Sequence, residues 1–450
     1  MNTTSNCIHE PARDVPVIDE ADICVLGGSC TGVFAAVRAA RLGARVSIVE
    51  QHNCFGGVAT LSLVNVWHSL YDTEFSQRII AGLTEEVIAR LKRRDAVVER
   101  SQSPHWAYAF NPQELQIELD ELVREARVTP HLHTRFVAPH LEDGALTAVI
   151  VESKSGRGAS KARYFIDATG DGDLAARLGL TCYTAEQAQP CTTCATIAGW
   201  SALDGTDVER LVCEHAHEFN LPEGFAWGCF IPHSDVYMRA GTRVYGADCT
   251  DAAALTRAEM EGRRQVRAFM DLLRAQAPQA RLTLQALPAR IGIRESRHVR
   301  CLHQLTGAEV LSGQRFEDAI ANGSYRVDVH HQDKPGITLK YLDGREEYHR
   351  PGAPVAAGRW RAATSVNPTF YQVPYRALVP RGSRNVLVAG RMLDAEAEAF
   401  AAVRVMVNLN QTGEAAGVAA HLALQRGADV GEVDAAELRA ALAAGGSVVL

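Results

Sequence analysis

The stretch from Ala21 to Glu50, ADICVLGGSCTGVFAAVRAARLGARVSIVE, constrains this chain more than any other segment. A short apolar run, Ile23 to Leu26, leads into a glycine turn, then a helix of small residues, then a second apolar run that ends in an acid. That order predicts a βαβ unit able to hold a dinucleotide. Gly27 permits the tight turn, the amides that open the helix face a pyrophosphate, and Gly32 lets helix and strand approach closely. Glu50 falls about 20 residues on, where a carboxylate can accept hydrogen bonds from both hydroxyls of an adenosine ribose. One position departs from the G-x-G-x-x-G pattern, because residue 29 is Ser. Ser29 must either tolerate the close approach of the phosphates or donate its hydroxyl to them.

A chain of 450 residues is too long for one ordinary core and predicts two or three subdomains. Its 47% hydrophobic and 22% charged residues describe a globular protein, not a disordered one. The net charge of −7 argues against nucleic acid as the main partner, since phosphate binding needs a basic face. No apolar run approaches the roughly 18 residues of a membrane span. The first twenty residues carry acids and prolines without an apolar core, so they read as a flexible tail and not a signal peptide. The eleven cysteines are scattered without framework spacing. Cys24, Cys182 and Cys301 lie in apolar stretches, as small buried hydrophobes do. This scatter and the lack of a signal-peptide pattern together favour a reducing cytoplasm. Cys191 and Cys194 form C-T-T-C, the spacing of a redox pair or half a metal site. No second pair with matching spacing accompanies them, so they read as structural and no metal site is expected.

Further along, Glu74 to Arg94 shows apolar residues at helical spacing with a charged opposite face. Asn111 and Pro112 read as an N-cap followed by proline at the first helical position. Strands are expected in HLHTRFV, ALTAVIVES and KARYFIDATG, the last two as a hairpin leading back into the nucleotide sheet. From about Cys191 to Phe370 the texture changes to aromatics, histidines and arginines in strand-like runs, interrupted by a helix over Ala252 to Ala275. The division expected is a tail over 1–20, a nucleotide domain over 21–190 and an inserted substrate-side domain over 191–370. Residues 371–424, with a helix ending near Leu424, close the nucleotide domain. A short alanine-rich helix and frayed end follow over 425–450.

Three later segments sharpen the reading. FIDATGDGDLAARLG, Phe165 to Gly179, ends a buried strand in Ala-Thr-Gly, where the backbone can pass close to a ligand. NVLVAGRMLDAEAEAF, Asn385 to Phe400, again ends a strand in a glycine, Gly390, followed by Arg391. RVMVNLNQTGEAAGVAAHLAL, Arg404 to Leu424, opens a helix whose N-terminal dipole favours negative charge on a bound ring. With the opening unit, FGGVAT (Phe55 to Thr60), ARIGIRESRHV (Ala289 to Val299), YRVDVH (Tyr325 to His330) and YQVPYRALVP (Tyr371 to Pro380), these motifs resemble a known set. The set belongs to the FAD-dependent oxidoreductases with a glutathione-reductase-type FAD fold. Their wider relatives are the succinate dehydrogenase and fumarate reductase flavoproteins. The resemblance covers Ala21 to Leu424. It implies an α/β fold: a Rossmann-like FAD/NAD(P)-binding domain with an inserted α+β substrate domain.

The resemblance also implies residue roles. Gly27, Gly28, Ser29 and Gly32 would take the FAD pyrophosphate and Glu50 the adenosine ribose. Gly56 and Gly57 would lie near the ribityl chain and flavin. Ala168, Thr169 and Gly170 would pass the adenine side, with Asp173 close by. Gly390 and Arg391 would close the pocket, and Gly413 would mark a glycine turn or helix contact. Val407-Asn408 and Glu414 depart from the family's usual residues near the expected pyrimidine edge.

A flavin supplies the redox chemistry, so the protein must bind it, orient a substrate over N5 and manage a proton. Arg290, Arg294 and Arg297 with Glu295 form a dense polar cluster. Arg294 could bind a carboxylate or carbonyl oxygen bidentately, or the cluster could be an internal Arg–Glu network. His330 titrates near neutrality in ordinary surroundings and is the first candidate for general acid or base, with a structural histidine as the alternative. Tyr375 and Arg376 would lie near the flavin by resemblance, or serve strand packing. His68 occupies a position where some flavoproteins attach FAD covalently. His131 and His133 would share one face of a strand.

The leading reading is an FAD-dependent dehydrogenase, oxidase or reductase that moves a hydride between a small molecule and flavin N5. A flavin monooxygenase would carry G-D-A-x-H-x-x-x-P where this chain has AGRMLDAEAEAF. A non-catalytic FAD-binding protein would not need the clustered Arg, His and Tyr. No second dinucleotide fingerprint is visible, so the electron donor or acceptor stays open. So does the oligomeric state, a homo-oligomer included.

Overall fold

A five-stranded parallel sheet runs in the order Val386–Val388, Tyr164–Asp167, Ile23–Leu26, Val46–Val49, Thr129–His131. The computed structural model describes residues 7–450 apart from 101, 103–106 and 223–225, so residues 1–6 of the expected tail lie outside it. Every strand of the sheet except Thr129–His131 is buried along its length. Apolar runs covered on both faces behave in this way. The period of two divides each strand between two cores. Ile23 and Val25 face the helices Cys30–Arg41 and Met406–Arg426, whereas Cys24 and Leu26 face an antiparallel sheet carrying Leu146, Val149 and Val151. Read in chain order, the strands wind outward in opposite directions from Ile23–Leu26 and Tyr164–Asp167. At such a reversal the two following loops diverge and open a crevice at the carboxyl ends of the strands.

The two helices on the inner face cross closely because of two glycines one turn apart. A Cβ at Gly413 would lie 2.1 Å from the Thr31 carbonyl oxygen, and one at Gly417 would lie 2.2 Å from that of Ala35. Gly413 is therefore a helix contact and not a turn.

Residues 191–370 mix strands with helices. One sheet runs Trp227–Phe230, Val236–Ala240, Cys194–Ala198, Thr283–Ala286, with the helix Ala252–Gln276 packed through Phe269 and Leu273 against Ile197 and Trp200. A meander follows in the order Val327–His330, Ile337–Lys340, Arg345–His349, Ala356–Arg359. Ala319–Gly323 pairs antiparallel with Tyr371–Pro374, and both strands join the core that the inner-face helices share.

Several local expectations are corrected. The tail is not wholly flexible, because Val17–Glu20 adds a parallel strand to Gly156–Lys161. The helix expected over Glu74 to Arg94 is confined to Leu83–Arg93. The Asp72 carboxylate accepts from the amides of Ser76 at 2.8 Å and Gln77 at 3.2 Å, and this turn competes with the helix. KARYFIDATG does not form the hairpin partner of ALTAVIVES: Gly156–Lys161, starting in the expected turn, pairs with Ala145–Ser153, while Tyr164–Asp167 enters the parallel sheet. His133 has a left-handed backbone, φ 51°, so His131 and His133 do not alternate on one strand. The last helix-rich segment is two helices, Ala397–Val403 and Met406–Arg426. The end after Ala435–Ala444 is held, not frayed: the Leu450 carbonyl accepts from Gln372 Nε2 at 2.9 Å and Arg439 Nη2 at 3.0 Å.

Candidate active site

The crevice predicted by the strand reversal is a cavity of about 460 Å³. One end is built from the loops that leave the two central strands. Gly27, at φ 103°, turns against the other loop so tightly that a Cβ would lie 2.3 Å from the Ala168 carbonyl oxygen. Ser29 is the N-cap of Cys30–Arg41, its hydroxyl accepting from the Gly32 amide at 3.4 Å. The crowding expected of a side chain at position 29 is thus relieved by turning it onto the helix. The amides of Cys30 and Thr31 have no acceptor within the helix, as at any helix start, and both residues line the cavity. Gly56 and Gly57, at φ 110° and 56°, fold the next loop against this turn. The Gly56 amide donates to the Gly28 carbonyl at 2.8 Å. A second helix N-terminus, Val405–Met406, opens onto the same cavity. Ala168, Thr169, Gly170, Gly390 and Arg391 complete this wall.

Glu50 holds the glycine turn itself. Its Oε2 accepts from the Gly28 amide at 2.6 Å and its Oε1 from the His52 amide at 2.8 Å. The residue that ties the two ends of the cavity together is Asp171. Its carboxylate accepts from Ser296 Oγ at 2.6 Å, from Arg290 Nη2 at 2.9 Å and from Arg391 Nη2. Burial opposes the charge on Asp171, but Arg391 and Arg290 outweigh it and hold the carboxyl below its usual range. Arg391 also donates to the carbonyls of Gly170 at 3.1 Å and Ile293 at 2.6 Å, which fixes the strand ends to the 289–297 segment.

The opposite end gathers cations. Arg294, Arg326 and Arg404 line it with Asp328, His330 and Tyr325. Arg294 donates through Nη1 to the Pro190 carbonyl and to Thr192 Oγ1. Burial, then the neighbouring charges of Arg243 and Arg404, push its pKa down to about 9. Asp328 accepts from Tyr325 OH at 2.8 Å and Arg404 Nη2 at 3.2 Å. Burial opposes the charge on Asp328 too, but its polar neighbour His330 and the cations Arg404 and Arg326 hold its carboxyl well below the usual range. Arg243 Nη1 lies 2.7 Å from His330 Nδ1. A guanidinium only donates, so Nδ1 is the acceptor and the ring proton is on Nε2, 3.3 Å from Asp328 Oδ1. Burial drives the His330 pKa well below 6.5. The expectation that His330 titrates near neutrality is corrected: the ring lines the cavity as a neutral imidazole anchored by Arg243.

The other site candidates divide. Tyr375 and Arg376 are not in the cavity wall. Tyr375 OH donates to the Val430 carbonyl at 2.7 Å, and Arg376 Nε pairs with Asp318 at 2.9 Å. Asp173 is half exposed and pairs with Arg297 at 3.4 Å. Asn408 and Glu414 do not line the cavity. The former donates to Tyr371 OH at 3.0 Å; the latter accepts from the Leu83 amide at 3.1 Å and lies 3.2 Å from Arg38 Nε. Met406, Leu409 and Asn410 present that helix to the cavity instead. Glu295 pairs with His298 at 3.1 Å and not with the arginines beside it. Cys194 does not meet Cys191, whose Sγ lies 3.1 Å from that of Cys249.

Asp171, Asp328, Arg243 and Arg404 were not singled out from sequence. Asp328 carried a signal, since it precedes His330 by two residues on one strand and shares its face. Asp171 lay inside the DATGDGD motif. Arg243 had no local signal at all.

A doubly wound sheet with a glycine turn, a helix N-terminus and a long cavity at its switch point defines a nucleotide-dependent α/β enzyme. The chain belongs to the FAD dependent oxidoreductase family, which it matches over residues 22–442. It is an enzyme, and its cofactor is FAD. Among solved structures it is similar to p-nitrophenol 4-monooxygenase PnpA from Pseudomonas putida DLL-E4, at 11% identity and TM-score 0.45 over 92% of this chain and 82% of that one. A flavoprotein/dehydrogenase from Cytophaga hutchinsonii gives 12% identity and TM-score 0.45 over 93% and 82%. A geranylgeranyl bacteriochlorophyll reductase-like protein from Thermoplasma acidophilum gives 10% and 0.44 over 91% and 80%. No curated protein matches the chain. No helix among the described residues is long and apolar enough to cross a membrane.

Proposed function

We propose that this FAD-dependent oxidoreductase moves a hydride between a small molecule and flavin N5, on a glutathione-reductase-type fold. Residues 21–190 and 371–424 form the FAD-binding part, and 191–370 form an inserted substrate-side domain. The observation that carries the reading is the single cavity running from the glycine turn to the arginine-rich wall. The backbone fits a diphosphate: glycines clear the turn, and the amides of Cys30 and Thr31 face the cavity without helical acceptors. Gly27, Gly28, Ser29 and Gly32 shape that end, with Glu50 beside the adenosine ribose. Gly56 and Gly57 take the ribityl chain, Ala168–Gly170 and Asp173 the adenine side, and Gly390 and Arg391 close the wall.

FAD, when bound, supplies the two-electron redox chemistry. The chain's own residues bind and orient. The start of Met406–Arg426 offers amide donors to the cavity. His330 accepts from Arg243 at Nδ1 and so positions that guanidinium as a neutral imidazole. Trp227, Leu61, Val64 and Leu409 make much of the wall apolar, which limits water around the reacting atoms. The cysteine usage fits a reducing compartment.

The test is anaerobic titration of the purified protein with metabolite panels and with NADH or NADPH. Bleaching of a yellow protein by an organic substrate supports hydride transfer from it. Bleaching by a nicotinamide alone, followed by oxygen-dependent hydroxylation of the substrate, would favour the monooxygenase instead. A colourless protein that takes up no FAD refutes the reading outright.

A further inference from the structure

We propose that the substrate is a monocarboxylate with an apolar body, whose carboxylate docks on the Nε–Nη2 edge of Arg294. This rests on the reading that the arginine-rich end of the cavity is the substrate's end. Arg294 is held by one nitrogen only: Nη1 donates to the Pro190 carbonyl and Thr192 Oγ1. Among the described residues, Nε and Nη2 have no hydrogen-bond acceptor and no carboxylate lies within ion-pair distance. The side chain is nevertheless part of the cavity wall. Its neighbours Arg290 and Arg297 differ, each paired with an aspartate at 2.9 and 3.4 Å. The motif thus spends two guanidiniums on architecture and leaves the third facing the cavity.

The local charge points the same way. Among the described residues that line this end of the cavity, Arg294 and Arg404 face one acid, Asp328, whose Oδ2 is already taken by Arg404 and Tyr325 and whose Oδ1 lies 3.3 Å from His330 Nε2. A buried cation without a counter-charge is costly, and an anionic ligand removes that cost. The exposed edge of Arg294 is a planar pair of parallel N–H donors, the geometry that a carboxylate matches bidentately. It is one edge and not a nest of several amides, which favours a carboxylate over a phosphate. Beyond it the wall is apolar, with Val66, Ile337, Leu339 and Met406. This fits an uncharged hydrocarbon body better than a second anionic group.

The experiment is calorimetric titration of the FAD-loaded protein with benzoate and hexanoate, and with their uncharged amides. Each acid should bind saturably and at least about 30-fold tighter than its amide, the loss expected when a buried charge pair is halved. Arg294→Met should bring the acids down to the affinity of the amides, and Arg294→Lys should restore part of the difference. Equal binding of acid and amide, no binding of either acid, or an Arg294→Met protein that binds acids like the parent would overturn the proposal. The contrast within the parent protein does not depend on the variants folding. Flavin absorbance of the same samples separates the two readings. Protein without FAD fails the cofactor assignment, while calorimetry still reports whether the cavity selects carboxylates.

Discussion

Replacing Gly413 by alanine sets two physical effects against each other. Intrinsic propensity favours the change, because alanine in a helix interior is about 1 kcal/mol better than glycine. Packing opposes it. The new Cβ would lie 2.1 Å from the Thr31 carbonyl oxygen, 2.8 Å from its carbon and 3.0 Å from the Thr31 Cα. Those are backbone atoms of the facing helix, which cannot rotate away, so the helices Cys30–Arg41 and Met406–Arg426 must separate by roughly 1 Å. Overpacking of this kind costs about 1–3 kcal/mol, and a rigid backbone wall places it at the upper end. The net expectation is a loss of about 2 kcal/mol. Both helices also present their N-termini to the cavity, so the same separation should weaken FAD retention. Thermal unfolding with and without added FAD, together with an FAD titration, measures both effects. A variant as stable as the parent, or more stable, would show that helix propensity wins and that the crossing is looser than described.

Glu50→Gln should lower FAD affinity and also destabilise the apoprotein by about 1–3 kcal/mol, since an amide group would face a backbone donor in place of a carboxylate oxygen. Unchanged FAD affinity would remove Glu50 from the ribose site. His330→Gln should reduce kcat/KM by less than the roughly 100-fold typical of a lost general acid or base, without moving the pH profile. A shifted limb of that profile would restore a titrating role. Glu414 is buried, and its pKa is pushed up to about 7. The folded protein therefore retains a proton that the unfolded chain releases near pH 4.3. The stability this provides is full below about pH 4.3 and is lost as pH rises towards 7, on the order of 3 kcal/mol in all. Glu414→Gln should flatten that fall in denaturation profiles measured across the window. A slope identical to the parent's would mean that Glu414 is ionised throughout.

The opening βαβ unit, the N-cap at Asn111 with Pro112, and the helix beginning at Ala252 were readable because their information is local. Turn glycines, caps and periodicity act over a few residues, and the structure keeps them. Asp72 shows where local reading fails: one carboxylate that captures two amides outweighs a helical apolar pattern in the residues that follow. The separation of Tyr164–Asp167 from the hairpin of Ala145–Ser153 and Gly156–Lys161 was equally hidden, since which strand pairs with which is a long-range choice.

The sequence by itself marked the glycine-lined end of the cavity. Gly27, Gly32, Gly56, Gly57 and Gly390 declare themselves because a chain passing close to a ligand, or to its own backbone, needs positive φ or missing side-chain bulk. The tertiary structure decided the other end. Tyr375 and Arg376 belong to packing and a surface ion pair. His330 is neutral because Arg243, a residue 87 positions away in sequence, donates to it in a buried wall. Arg294 is separated from Arg290 and Arg297 only by which aspartates the fold places within reach. Charge, protonation and access depend on neighbours that are distant in the chain, and no spacing rule encodes them.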